Sequence, residues 1–224
     1  MGERRARPRA GRPPANSSPL ATDDAMRAAL AAFAAHGYDG CSVQQLARDL
    51  GVSHNLFNQR FGTKEDLWRA AVDWGFARMR AALADAGIPE DTGDAVERLR
   101  SLIVCYVRAA AAVPEVTRLL AVEGALDGPR LRYAFENHIG PVLVPLRRVV
   151  AQLEAEGRAR PVPFRTLCFL IHGGAVGPFA QAAAAQLVDP ADPFEPTAVE
   201  EHARVVADLL LAVLRPVPEP VGQA

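Results

Sequence analysis

Four polar side chains within six residues, His54, Asn55, Asn58 and Gln59, carry the clearest chemical potential in this chain. Phe57 and Phe61, four apart, can anchor a helix inward and so turn those four towards solvent. Amides of Asn and Gln pair bidentately with adenine edges in the major groove, where each base pair shows its own donor and acceptor pattern. The segment therefore suits the reading of double-stranded DNA. Ser42, Gln44, Ser53 and Thr63 lie at the helix starts around it and join the same DNA-facing set. Lys64 is the only lysine in the chain, which otherwise uses arginine for positive charge. It falls in a first helical turn, where the macrodipole disfavours a cation by about 0.3 to 1 kcal/mol. A DNA phosphate would reverse that sign, since lysine and a helix N-terminus both attract it.

The elements that must position these residues are legible nearby. Ser42 is placed to cap a helix whose apolar residues Val43, Leu46, Ala47 and Leu50 recur at i, i+3, i+4 and i+7. Gly51 supplies a left-handed turn and Val52 a plug between two helices. Ser53 caps the second helix. Thr63, with Asp66 three later, forms a short capping box that starts a third.

Gly51, Val52, Ser53, Phe61, Thr63, Lys64, Glu65 and Leu67, preceded by Ala47 and by His36, Gly37 and Tyr38, resemble the N-terminal domain of tetracycline-repressor (TetR) family regulators. The resemblance covers about residues 22 to 68. It implies a recognition helix placed in the major groove, C-terminal helices that dimerise, and middle helices enclosing a ligand cavity. Two positions depart from the family pattern. Asn58 stands where the family usually carries a phosphate-contacting tyrosine, and Asn55 where it usually has a small residue.

Charge is nearly balanced, with Lys+Arg 25 against Asp+Glu 26, so nucleic-acid binding must come from local placement. Arg4, Arg5, Arg7, Arg9 and Arg12 sit in a Pro-rich leader, opposed only by Glu3. That composition reads as a disordered arm over residues 1–20, able to reach phosphates or a minor groove, with Arg12 its DNA-contacting candidate. No apolar run follows the arginines, which argues against a secretory signal. Cys41, Cys105 and Cys168 are odd in number and far apart, as expected of reduced thiols in a cytoplasm. The five histidines are scattered without ligand spacing, so neither a metal nor a cofactor is expected.

The remaining chain reads as helices separated by Pro and Gly. Thr22 starts the first, with Asp23 and Asp24 in its opening turn and Met26, Leu30 and Phe33 as its inner stripe until Gly37 ends it. A long helix runs from Lys64 to about Ala86. Breaks fall at 87–93, Pro114, 127–129, 157–163 and 189–196. Between them lie helical stripes such as Leu99, Leu102, Ile103 and Tyr106, or Val142, Leu146, Val149, Val150 and Leu153. Trp74 and Phe76 read as core. No alternating strand pattern appears, so the expected fold is all-α: a helix-turn-helix DNA-binding domain at 21–68, a helical ligand-binding and dimerisation domain at 69–215, and a disordered tail at 216–224.

Residues 166–188 lack charge, yet three glycines, Pro178, His172, Gln181 and Gln186 make them a poor membrane span. They read instead as one buried helix. The next helix, 197–214, carries an apolar stripe at Val199, Ala203, Val206, Leu210 and Val213. Helices near 164–187 and 197–214 are thus expected to form a homodimer interface. Tyr106, Glu123, Arg132, His138 and His172 are the polar candidates for binding an unknown small-molecule effector.

These residues point to a cytoplasmic, nucleoid-associated, ligand-responsive regulator, most simply a repressor, on a pseudo-palindromic operator. A helical protein-interaction or sensor module without DNA binding is the alternative. His172-Gly173-Gly174 resembles an oxyanion loop, but no GxSxG elbow or nucleophile with a base partner accompanies it, so enzymatic activity is not expected.

Overall fold

The computed structural model describes residues 22–85 and 93–216, and among them the chain is helical without strands. Eleven α-helices follow in order: α1 (Thr22–Gly40), α2 (Val43–Asp49), α3 (His54–Phe61), α4 (Lys64–Asp85), α5 (Ala95–Ala112), α6 (Pro114–Gly124), α7 (Pro129–Ala134), α8 (Gly140–Ala155), α9 (Phe164–Ala180), α10 (Ala182–Val188) and α11 (Pro196–Leu214). A π-helical segment, Phe135–Ile139, joins α7 to α8. The arginine-rich arm with Arg12, the break at Gly87 and the tail beyond Pro216 lie outside the described residues.

Local chemistry explains the helix ends. Ser42 accepts from the Gln45 amide at 3.2 Å and Ser53 from the Leu56 amide at 3.3 Å, as N-caps. At Thr63 the capping box closes in both directions: the Asp66 amide donates to Thr63 Oγ1 at 3.2 Å, and the Thr63 amide donates to Asp66 Oδ2 at 2.9 Å. Gly37 (φ 68°) breaks the regular course of α1, and the chain then winds on to Gly40.

Met26, Leu30 and Phe33 of α1 share one apolar core with Leu46, Ala47, Phe57, Leu67 and Trp68, and with Val116 and Leu119 of α6. α1 is therefore packed onto α4 and α6, and α2 and α3 share its core. At that junction Gly75 of α4 is a spacer: a Cβ there would lie 2.7 Å from Val116 Cγ2 and 2.8 Å from Leu30 Cδ2. The second half is organised on α5, buried on several sides by α8, α9 and α11, with Leu99, Ile103, Val107 and Ala110 inward.

Several sequence expectations need correction. Residues 166–188 are not one buried helix, because α9 and α10 bend by 84° at Gln181 and α10 buries no residue. Pro178 removes an amide donor just before that bend. Val142 and Val213, assigned to inner stripes, are 47% and 42% exposed. On α11 the buried set is completed by Ala207, Leu211 and Leu214, so the stripe drifts round the helix. Trp74 is half-buried, its indole donating to Asp23 at 3.2 Å with Arg27 and Arg78 over its ring. Phe76 is in the core as expected. No single described helix is long and apolar enough to cross a membrane; α9 and α10 together meet the length and composition, but in bent form.

Candidate functional site

The turn from α2 to α3 is closed by backbone bonds. Gly51 (φ 70°) donates to the Arg48 carbonyl at 3.0 Å, and Val52 donates to the Ala47 carbonyl at 3.0 Å. Val52 packs against the core, fixing the angle at which α3 leaves. Phe57, 2% exposed, pins α3 from beneath, with Phe61 at 4.7 Å between ring centroids. Burying such a ring contributes about 1.5 to 3 kcal/mol.

The consequence is an outer face made of His54, Asn55, Asn58 and Gln59, all exposed, as are Ser42, Gln44, Ser53 and Thr63. His54 Nε2 and Asn58 Nδ2 lie 3.2 Å apart. The amide nitrogen donates, so Nε2 is the bare imidazole nitrogen and Asn58 keeps its carbonyl oxygen free. Leu56, 56% exposed, shares this surface and was not singled out by sequence. An apolar contact of that kind suits a thymine methyl. Arg48 is a second omission. It is exposed on α2 and donates to Gln45, which donates to Asp49, each at 2.6 Å.

Lys64 has an intramolecular seat. Its Nζ donates to the Asp39 carbonyl at 3.2 Å and lies 4.8 Å from the Tyr38 ring centroid. A cation at the C-terminal carbonyls of α1 gains from that helix's dipole, which offsets its poor position at the start of α4. Asp66 lies below the usual carboxylate range because the Thr63 hydroxyl and amide both donate to it. Arg60 reaches across to Thr22 Oγ1 at 2.7 Å.

The five effector candidates do not converge. Tyr106 Oη and His172 Nδ1 come together at 2.7 Å between α5 and α9. Burial pushes the Tyr106 phenol up and the His172 imidazole down. Glu123 lies elsewhere, 2% exposed at the end of α6, accepting from Arg130 at 3.0 Å with its second oxygen unpartnered. Arg130 in turn lies 3.9 Å from the Tyr38 ring, tying α7 to the end of α1. His138, on the π-helical segment, is buried against α4. Arg80 can only donate, so His138 Nδ1 accepts from it at 3.3 Å, and Nε2–H donates to Asp73 at 2.7 Å. Tyr133 donates to the same carboxylate at 2.8 Å, and burial together with Asp73 pushes its phenol up to about 12. Arg132 stands apart: its side chain is 69% exposed and pairs with Asp127 at the surface.

Sequence reading missed Asp73, Arg80, Arg130 and Tyr133. For Asp73, Arg80 and Tyr133 the partners lie far along the chain, as with the 60 residues between Asp73 and Tyr133, while Arg130 meets Glu123 across the turn from α6 to α7. Among the described residues no group of His, Cys, Asp and Glu is arranged to hold a metal ion.

Residues 25–71 match the family model described as bacterial regulatory proteins, tetR family. Residues 96–210 match the one described as tetracyclin repressor-like, C-terminal domain. The HTH-type transcriptional repressor AcnR of Corynebacterium glutamicum is 35% identical over 81 residues, 36% of this chain. That stretch spans 41% of the relative, less than half its length. Among solved structures, the TetR family transcriptional regulator PfmR from Thermus thermophilus is similar with a TM-score of 0.66 at 22% identity, over 88% of this chain and 99% of that one. The fatty acid degradation regulator FadR from Bacillus halodurans gives 0.60 at 20% identity, over 86% and 99%. At these identities the likeness is one of fold.

Proposed function

The chain belongs to the tetR family of bacterial regulatory proteins, transcriptional regulators that bind DNA and typically act as dimers, and from that premise we propose a homodimeric repressor released from a pseudo-palindromic operator by a small molecule. The reading unit is residues 21–68 and the effector and dimerisation unit 69–215. The repressor sense is supported by the 35% identity to AcnR, a repressor by name. The site of action is the nucleoid in the cytoplasm.

One observation carries the DNA contacts: α3 is capped at Ser53 and pinned at Phe57, and it presents four polar side chains outward with no core role. We assign Asn55, Asn58 and Gln59 to base edges, with His54 holding the Asn58 amide. Ser42, Gln44, Ser53, Thr63 and Lys64 are assigned to the phosphates, and Arg12 to the duplex beyond the motif. Lys64 would exchange the Asp39 carbonyl for a phosphate oxygen. Dimerisation is assigned to the exposed apolar faces of α9 and α11, where Phe169, Leu170 and Leu209 are 71%, 47% and 63% exposed.

Selection of bound sequences from random DNA tests this reading, with a two-fold symmetric site as the expected product. Variants then separate the roles. Lys64→Ala is expected to weaken all sequences alike and reduce the salt slope by about one ion. Asn55→Ala or Gln59→Ala is expected to cost about 1 to 3 kcal/mol at particular base pairs and relax preference there. Equal losses on operator and random DNA for all three overturn the assignment.

The effector is assigned to the ground around Tyr106 and His172, with Glu123 and His138 as polar groups on the path to α4. An effector acts only through its differential affinity for the DNA-fitting and non-fitting shapes, a coupling of about 1 to 3 kcal/mol. Calorimetric titration with and without operator tests it, because linkage requires operator to weaken inducer binding by the same factor.

A further inference from the structure

α10 is a helix that its own subunit does not account for. Its seven residues, AAAAQLV, carry no charge and bury nothing. Leu187 is 90% exposed and Val188 89%, the most exposed large apolar side chains among the described residues. Helices shorter than about 12 to 15 residues are marginal without packing partners, so a segment like this needs a surface to lie against.

Its position says which surface. α10 leaves α9 at 84° and overhangs a cleft of about 480 Å³ lined by Pro178, Phe179, Ala185, Ala198 and His202. That cleft is the end of the two exposed apolar faces. On α11, Ala198 and His202 of the cleft lead at helical spacing to Val205, Leu209 and Val213, which are 39%, 63% and 42% exposed. On α9, Gly177 of the cleft leads back to Gly173, Leu170 and Phe169. An apolar surface thus runs from Phe169 and Val213 to α10, with Asp189 and Asp192 also lining the cleft and the Arg204–Asp208 pair beside it on α11. We infer that α10 is an arm of the dimer, with Leu187 and Val188 buried against the partner subunit and the partner's arm making the reciprocal contact. An isologous interface requires such reciprocity. The inference rests on the α9 and α11 dimer proposed above and extends it.

The test compares the full-length protein with two variants by sedimentation velocity across a concentration series. Leu209→Asp places a charge in the α11 face and reads the dimer itself. Leu187→Asp with Val188→Asp changes only side chains that the isolated subunit leaves in water, so the fold is spared, as circular dichroism will verify. The double variant is expected to raise the dimer dissociation constant at least roughly tenfold, since two apolar side chains per subunit return to water. Amide exchange in α10 is expected to be slower in the wild-type dimer than in monomeric Leu209→Asp. A monomeric Leu209→Asp beside a double variant that dimerises like wild type, with equal exchange in α10, overturns the arm and leaves the dimer standing. A Leu209→Asp protein that stays dimeric overturns both. Flotation of wild type with phosphatidylglycerol vesicles, abolished in the double variant without any change in dimerisation, would also overturn the arm and assign α10 to lipid.

Discussion

The helix-turn-helix and the helices of the second half meet on α4, yet their polar side chains are employed in opposite ways. In α2, α3 and the start of α4 they bond to backbone three residues away, as Ser42, Ser53, Thr63 and Asp66 do, and the outer face of α3 is left open. In the second half they bond to one another over long separations: Tyr106 to His172 across 66 residues, His138 to Asp73 across 65, Arg108 to Glu200 across 92. The first region keeps donors and acceptors for a partner. The second has satisfied most of its own, Glu123 Oε2 excepted, so a small molecule of the kind proposed would have to replace hydrogen bonds that the protein makes to itself. Leaving a buried group unmatched costs about 1 to 3 kcal/mol, which makes the inventory of donors and acceptors a filter on the effector.

The sharpest way to break this comparison is at Glu123. Arg130→Ala removes the partner of a carboxylate whose side chain is 3% exposed and already has one unpartnered oxygen. The expected loss is about 3 to 5 kcal/mol of unfolding free energy, read by denaturant titration. Arg130 also covers Tyr38, so part of the loss should appear as looser attachment of the reading helices. A loss below about 1 kcal/mol would mean that this buried pair is dispensable and that the contrast in how the two regions use their polar groups is superficial.

A smaller effect is expected where the regions touch. Gly75→Ala places a methyl against Val116 and Leu30, neither of which lies at the end of a long flexible side chain. Overpacking of this kind costs about 1 to 3 kcal/mol and should push α4 away from α1 and α6. If α4 transmits effector state to α3, this variant should change operator affinity in the absence of effector. Unchanged affinity with lowered stability would confine Gly75 to packing.

Legibility follows the same division. The reading motif was visible because its determinants are local: a Ser three residues before the amide it caps, a Gly at φ 70°, two Phe residues four apart. The all-α fold was visible from helical spacing. What failed was of another kind. The 84° bend at Gln181 leaves no strong local mark beyond Pro178, and whether Val142 or Val213 faces inward depends on which neighbours a helix acquires. Of the five effector candidates only Tyr106 and His172 meet. Glu123 and His138 found partners, Arg130, Arg80 and Asp73, that periodicity cannot assign, and Arg132 turned outward.

The smallest expected effect concerns protons, and it separates two causes within the Tyr106–His172 pair. Burial holds the His172 imidazole below its ordinary value of 6.5, so the native state favours the neutral ring. Below that value the unfolded chain binds more protons than the folded one. The stability tied to this site is therefore complete above about pH 6.5 and is lost as pH falls through the lower native value. His172→Gln should remove that component, so the drop in melting temperature between about pH 7.5 and about pH 5 should be smaller than in wild type. Tyr106→Phe removes the 2.7 Å hydrogen bond but leaves a ring of similar bulk over the histidine. If burial is the cause, this variant keeps the wild-type pH dependence while losing some stability at every pH. If its pH dependence instead collapses onto that of His172→Gln, the Tyr106 hydroxyl is what keeps His172 neutral. An effector would then have to carry its own hydrogen-bond donor to take the tyrosine's place.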